Sequence, residues 1–252
     1  VVGAAAARWT ELQSGRGIPA EILARAEADP WGFDTADFAA PDTPSDTPSR
    51  RAALTLLDPG GSVLDVGCGG GSAAFALVPP AGQVVGVDRQ PDMLAAFAAT
   101  ARRRGVRART VPGRWPEVAA EAGRADAVLC HHVLHNVVDL PPFLGALTAS
   151  ARRGVVVEML VEHPMAWLDP LWVRFHGLHR PPSATVDDAV GVLREMGVEP
   201  AVRRWQRTAA PRQDPAWVTR RLCLPADRIP EVAAALPALT RPRTAATLTW
   251  PP

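Results

Sequence analysis

Short apolar runs alternate with amphipathic stretches through the middle of the chain, and this alternation sets the expected elements. Residues 62–66 form a compact apolar run, followed by a glycine-rich turn and a helical stretch at 72–78. Residues 84–87 repeat the buried-strand pattern, and residues 91–103 place Met93, Leu94 and Phe97 on one helical face. A more polar strand at 106–111, an apolar strand at 125–130, a helix at 140–151 and a strand at 154–159 continue the rhythm. Strands that alternate with helices predict a mainly parallel sheet covered on both faces.

The flanks are less regular. Residues 19–28 read as a helix opened by Pro19, with Ile22, Leu23 and Ala26 at helical spacing. Residues 30–48 are rich in Asp, Pro and Thr and read as a loop, and Asp46 or Thr47 can cap a helix with Pro48 in its first turn. Beyond residue 160 a Trp- and Pro-bearing stretch runs to 179, and a helix is expected at 185–196 with Gly197 as its stop. A strand at 198–205, helices at 215–222 and 230–236 and a final strand at 244–250 complete the reading. The expected organisation is a helical preface at 1–45, then one domain at 46–252 with cap insertions near 160–182 and 208–240.

Composition narrows the classes. The chain has 252 residues, 47% of them hydrophobic, enough for one large α/β domain with a core. A formal net charge of +1 gives no strong pull toward nucleic acid or anionic lipid, so neither is expected as a partner. No apolar run is long enough to cross a bilayer, no stretch has the order of a signal peptide, and the three cysteines are widely spaced. A cytoplasmic protein with reduced thiols is expected. The sequence holds no Lys and no Tyr. That removes the P-loop lysine, the Schiff-base lysine and any Tyr–Lys proton-transfer pair.

The chemistry concentrates at the end of the first strand. Asp65 precedes Gly67, Cys68, Gly69, Gly70 and Gly71. Glycines at 67, 69 and 71 allow a tight turn and close approach of a ligand to the backbone, and the helix that follows aims its amides at the same place. Asp88 ends the second strand, where a carboxylate can accept from two ribose hydroxyls, or else cap the helix at Pro91. A dinucleotide loop needs its third glycine at 72, which is Ser72. Asp65 would repel a pyrophosphate but suits the ammonium of a methionine moiety.

Residues 63–71 and 84–94 resemble the first two motifs of the class I S-adenosylmethionine (SAM)-dependent methyltransferases, and residues 126–138 resemble the fourth. The resemblance covers about residues 46–160. It implies a Rossmann-like α/β fold with a seven-stranded, mainly parallel sheet, helices on both faces and an antiparallel last strand. It implies SAM as cofactor, with Asp65 and Gly67 near the methionine part and Asp88 near the ribose. Cys68, Gly69, Gly71, Arg89, Met93, Cys130 and His131 fall in the same motifs as cofactor-binding candidates. One departure stands out: Gly113-Arg114-Trp115 occupies the place where many relatives carry an acid for the adenine amine. There the backbone could read the adenine edge, with Trp115 either walling the ring or packing in the core.

Methyl transfer asks the protein to align an acceptor and exclude water, with a general base only where the nucleophile carries a proton. His131, His135 and His163 follow strands four and five on the carboxyl edge of the sheet, beside Glu158, and are the catalytic candidates. His132 is expected only to pack or cap the turn. The six histidines lack a Cys or carboxylate at matching spacing, so no metal is expected. Trp167, Trp172, Trp205 and Trp217 suggest an apolar or aromatic small-molecule acceptor under a cap, or simple packing of that cap. Two other readings stay open: a SAM-binding accessory protein without catalysis, and a nicotinamide-dependent enzyme.

Overall fold

The computed structural model describes residues 3–32, 35–207, 213–236 and 243–252. Seven strands are present: β1 Ser62–Val66, β2 Gln83–Asp88, β3 Arg107–Pro112, β4 Ala125–His131, β5 Ala151–Leu160, β6 Ala201–Arg207 and β7 Arg243–Trp250. They lie in the order β3-β2-β1-β4-β5-β7-β6. β7 runs antiparallel to both of its neighbours and the other pairs are parallel. The helices are α1 Ala4–Ser14, α2 Ala20–Leu23, α3 Pro48–Leu54, α4 Ser72–Phe75, α5 Pro91–Arg104 and α6 Ala119–Ala122. They continue with α7 Leu140–Ser150, α8 Asp169–His176, α9 Val186–Glu195, α10 Pro215–Arg221 and α11 Ile229–Ala235.

Period-two alternation sends the central strands into two cores. Leu64, Val66, Val128 and Cys130 face a cluster shared with Trp9, Leu144 and Leu193. Val63, Ala127, Leu129 and Val156 face the opposite cluster with Ala53, Phe75 and Phe97. Both faces are therefore buried, which is why β1 and β4 read as nearly continuous apolar runs. β3 is a sheet edge with mostly exposed residues and keeps a polar pattern.

Several helix ends follow from local chemistry. Thr47 Oγ1 accepts from Arg50 N–H and caps α3. Thr185 and Asp188 form a reciprocal capping box at α9, and α9 closes before Gly197 at φ +79°. Two helix expectations are corrected. The stretch at 19–28 gives only the single turn α2, of which only Ile22 is buried, so little packing holds a longer helix. The main N-terminal helix is α1, anchored by fully buried Trp9, whose Nε1 donates to the Val137 carbonyl at 2.8 Å. The helix expected at 72–78 stops at Phe75 and continues as turns toward Pro79 and Pro80.

A third cluster joins Ile18 and Ile22 to Trp172, Trp217, Val218 and Val232. The segment before α3 thus shares a core with α8, α10 and α11. Trp167 packs against this cluster, and Trp205 Nε1 donates to Thr247 Oγ1 at 3.1 Å. These indoles serve packing. Residues 208–212 and 237–240 of the expected cap insertion lie outside the described residues, as do residues 1–2 and 33–34 of the expected preface.

Candidate functional site

The turn leaving β1 sits at the centre of the site. Gly67, Gly69 and Gly71 take φ values of +72°, +50° and +89°, the left-handed region where a Cβ is strained. A Cβ on Gly67 would also stand 2.3 Å from Val133 Cγ2. The turn is fastened to β2, because the N–H groups of Gly67 and Cys68 donate to the Val87 carbonyl at 2.8 and 3.0 Å. Asp65 is buried beneath it and accepts from Ala74 N–H at 3.2 Å, so it ties the start of α4 to the end of β1. Burial pushes the Asp65 carboxyl up to about 7; the Ala74 N–H opposes this and the Asp88 charge adds to it.

Asp88 closes β2 across the mouth of the turn. Its Oδ2 accepts from Gly69 N–H at 2.9 Å and its Oδ1 from Gln90 N–H at 3.0 Å. Each carboxylate oxygen keeps further acceptor capacity, and the residue is half-buried. Gly113, at φ +145°, donates its N–H to the Asp88 carbonyl at 3.0 Å and brings the β3 turn alongside. A segment ahead of α3 also reaches this place. A Cβ on Gly69 would meet Phe38 Cβ at 3.1 Å, one on Gly70 would meet the Phe38 carbonyl oxygen at 2.5 Å, and Ala39 bridges Gly71. The feature that suits an adenosyl ligand is the Asp88 carboxylate at the mouth of this turn, which still has acceptor positions for a ribose diol.

The remaining cofactor candidates fall into three groups. Cys68, Met93 and Cys130 are buried, and burial pushes both thiols upward. Arg89 and Arg114 are exposed at the rim. Of the two roles open to Trp115, the core role is the one observed: the ring joins the main cluster and its Nε1 donates to the Phe143 carbonyl at 3.1 Å.

Two of the three candidate histidines, His135 and His163, meet; His131 instead neighbours Glu158 and His132. His131 ends β4, and its Nε2 is shut off from solvent without a partner among the described residues. Burial pushes it down to about 4, with Glu158 opposing and His132 and Arg207 adding. His135 is buried, with Nε2 3.1 Å from the Leu160 carbonyl and Nδ1 unpartnered among the described residues. Burial, then the His163 and His132 charges, takes it to about 3. His163 lies edge-on to His135 at 5.3 Å between ring centres, and its Nδ1 accepts from Met165 N–H at 3.1 Å. Burial and the cations Arg16 and Arg180 push it to about 4. All three rings are therefore neutral near pH 7.

Sequence reasoning undervalued His132. It sits at φ +61°, an uncommon conformation for a residue with a Cβ. Its N–H donates to the Glu158 carbonyl at 2.7 Å, and its Nε2 lies 2.9 Å from Glu158 Oε1. Burial alone would raise Glu158, yet the His132 contact, the His131 and His132 charges and a hydrogen bond from Ser49 hold it down at about 2. Arg207 also enters, with Nη1 2.8 Å from the same His132 Nε2. A lone acid in the apolar run of β5 was the available signal for Glu158; nothing local marked Arg207. Among the described residues no three His, Cys, Asp or Glu side chains converge as metal ligands, and no helix is long and apolar enough to cross a membrane.

Comparison with known proteins places this geometry. The methyltransferase-domain family matches residues 63–154. A cobalt-precorrin-6B C(15)-methyltransferase (decarboxylating) assigned in Pyrobaculum calidifontis is 31% identical over 58% of this chain and 70% of its own length. A ubiquinone biosynthesis O-methyltransferase of Methylobacterium nodulans is 35% identical over 42% of this chain, and the match spans only 41% of that enzyme. Among solved structures, magnesium protoporphyrin IX methyltransferase from Synechocystis PCC 6803, crystallised with bound S-adenosylhomocysteine (SAH), shares the fold. Its TM-score is 0.54 at 16% identity, covering 81% of each chain.

Proposed function

Because the chain belongs to the class I SAM-dependent methyltransferase family, we propose that it binds SAM at the 65–71 turn and transfers the methyl group to a small-molecule acceptor. The observation that carries this reading is the Asp88 carboxylate, held by Gly69 N–H across a turn of three left-handed glycines and still able to accept from a ribose diol. Asp65 fixes the turn from below, and Phe38 and Ala39 wall it from the side. When bound, SAM supplies a methyl group made electrophilic by its sulfonium.

The chain's own task is then placement. The acceptor atom must stand in line with the methyl–sulfur bond at about 3–3.5 Å, with water kept out. β4 and β5 end beside the turn, so His131, His135 and His163 border the acceptor. Where the acceptor is a hydroxyl, its oxygen would bond to the methyl carbon as the methyl–sulfur bond breaks and its electron pair leaves on the sulfur of SAH, and the hydroxyl proton would pass to an imidazole nitrogen. Among the described residues His131 Nε2 and His135 Nδ1 have no partner, whereas His163 Nδ1 is taken by Met165 N–H. The cluster that packs α2 against α8, α10 and α11 is the candidate for the cap over this edge.

The test is transfer of labelled methyl from SAM to a panel of small phenols, amines and carboxylic acids, with His131→Ala, His135→Ala and His163→Ala alongside. Each variant should keep SAH affinity, and at least one should lose transfer by ~10²-fold or more. Full transfer in all three would show that placement alone suffices and would overturn the proton-acceptor role.

A further inference from the structure

The acceptor side of the site carries a pair of cations, Arg207 and Arg243, with no carboxylate partner among the described residues. Arg207 and Arg243 are direct partners in the antiparallel register of β6 and β7. Residues directly opposite in such a pair share a face, and like charges there are destabilising. Their closeness is visible in Arg243, whose guanidinium is pushed down by burial and then by the Arg207 charge. Among the described residues no carboxylate pairs with either arginine. Arg243 has one long contact, from Nη1 to the Pro164 carbonyl at 3.5 Å, and its Nε is buried without a partner.

Arg207 is in a conflict of its own. His132 Nε2 lies 2.8 Å from Arg207 Nη1 and 2.9 Å from Glu158 Oε1. A neutral imidazole nitrogen either accepts or donates. If it accepts from Arg207 it turns a lone pair on Glu158; if it donates to Glu158 it meets the N–H of Arg207. A second cationic pair nearby, Arg16 and Arg180, likewise leaves both Nε groups buried without a partner among the described residues, but it has a carboxylate at hand and shares no imidazole. Arg16 binds Asp169 at 2.7 Å and also donates to the Pro181 carbonyl, and Arg180 donates to the Arg16 carbonyl. Arg207 and Arg243 are the ones left to be answered, on the sheet edge that carries His131 and His132.

We infer that the acceptor is a carboxylate-bearing small molecule whose carboxylate is held between Arg207 and Arg243. Guanidinium forks match a planar carboxylate. Glu158 is turned to His132, so the two guanidiniums leave positive charge that a carboxylate complements. An incoming carboxylate would also resolve the His132 conflict by drawing Arg207 away and leaving Nε2–H to Glu158. The inference rests on the methyl-transfer reading and names the class of its acceptor.

The test uses the SAH-saturated protein and follows its thermal midpoint and tryptophan fluorescence against benzoate, 4-hydroxybenzoate and phenylacetate, each beside its amide. At least one acid should bind, with its amide weaker by about tenfold or more. Arg207→Gln and Arg243→Gln should each lose that acid by a similar factor while keeping SAH. Without any acid, Arg243→Gln should match or exceed the wild-type midpoint, because removing one of two opposed cations relieves repulsion; a purely structural arginine would lower it. Three results overturn the inference: no acid binding better than its amide, variants that bind the acid as well as wild type, or a lowered ligand-free midpoint in Arg243→Gln. An absence of SAH binding by the wild type would instead sink the cofactor reading, so the two failures are distinct.

Discussion

Replacing Gly67 with Ala tests how far the turn is fixed by backbone conformation and contact. The residue sits at φ +72°, where an L side chain costs about 1–2 kcal/mol. The new Cβ would stand 2.3 Å from Val133 Cγ2, a methyl on a β-branched side chain with little freedom at χ1. Overpacking of this kind costs about 1–3 kcal/mol, so Gly67→Ala should destabilise by about 2–5 kcal/mol in total. Val133→Ala removes the obstructing methyls and by itself should cost about 1–2 kcal/mol of lost burial. The double variant separates the two contributions. It keeps the φ strain and loses the clash, so it should be more stable than additivity predicts by about 1–3 kcal/mol. Urea unfolding followed by far-UV circular dichroism measures all four corners of the cycle. Because Gly67 N–H also donates to the Val87 carbonyl, the single variant should weaken SAH binding as well. A Gly67→Ala protein within about 0.5 kcal/mol of wild type, or a strictly additive cycle, would refute the reasoning.

Two pH effects follow from the buried groups. His135 is neutral in the fold down to about 3 but takes a proton near its ordinary value when unfolded. Its contribution is therefore flat above about pH 6.5 and is lost as pH falls below that. His135→Leu should flatten the acid decline between pH 6.5 and 4 in urea titrations, and an unchanged slope would contradict the assignment. Asp65 behaves in the opposite sense: its carboxyl is raised to about 7, so its protonated form favours the fold at low pH and this advantage is lost as pH rises to about 7. Ligand-free Asp65→Asn, whose amide oxygen can still accept from Ala74 N–H, should gain on wild type from pH 5 to pH 8; a difference that does not grow with pH would count against a buried, raised carboxyl.

The sequence exposes the parts of this protein whose physics is local. β1, β2, β4 and β5 are apolar runs bounded by turns because both sheet faces are covered, and the turn at 67–71 announces itself through glycines that only a left-handed path needs. α1 was not legible. Its AAAARW start carries no amphipathic repeat, and only Ala6 and Trp9 are buried. Phe38 and Ala39 reach the glycine turn from a Pro- and Asp-rich stretch that reads as loop, and that contact is fixed by tertiary packing alone. Arg207 and Arg243 meet through strand register, across a stretch of chain with no local pattern linking them. His132 owes its place beside Glu158 to a backbone conformation that residue type does not announce. The glycine turn and Asp88 were thus readable as a motif, whereas the meeting of His132, Glu158, Arg207 and Arg243 emerged only once β4, β5, β6 and β7 were laid edge to edge.

Calorimetric titration of SAH into the wild type and Asp88→Ala tests the central claim most directly. SAH should bind the folded wild type with one site per chain. Asp88→Ala, which removes the acceptors at the mouth of the turn, should bind about 10- to 100-fold more weakly, in keeping with the loss of about 1.5–3 kcal/mol of charged hydrogen bonding. A folded wild-type protein that takes up no SAH, or equal affinity in the two proteins, would contradict the account.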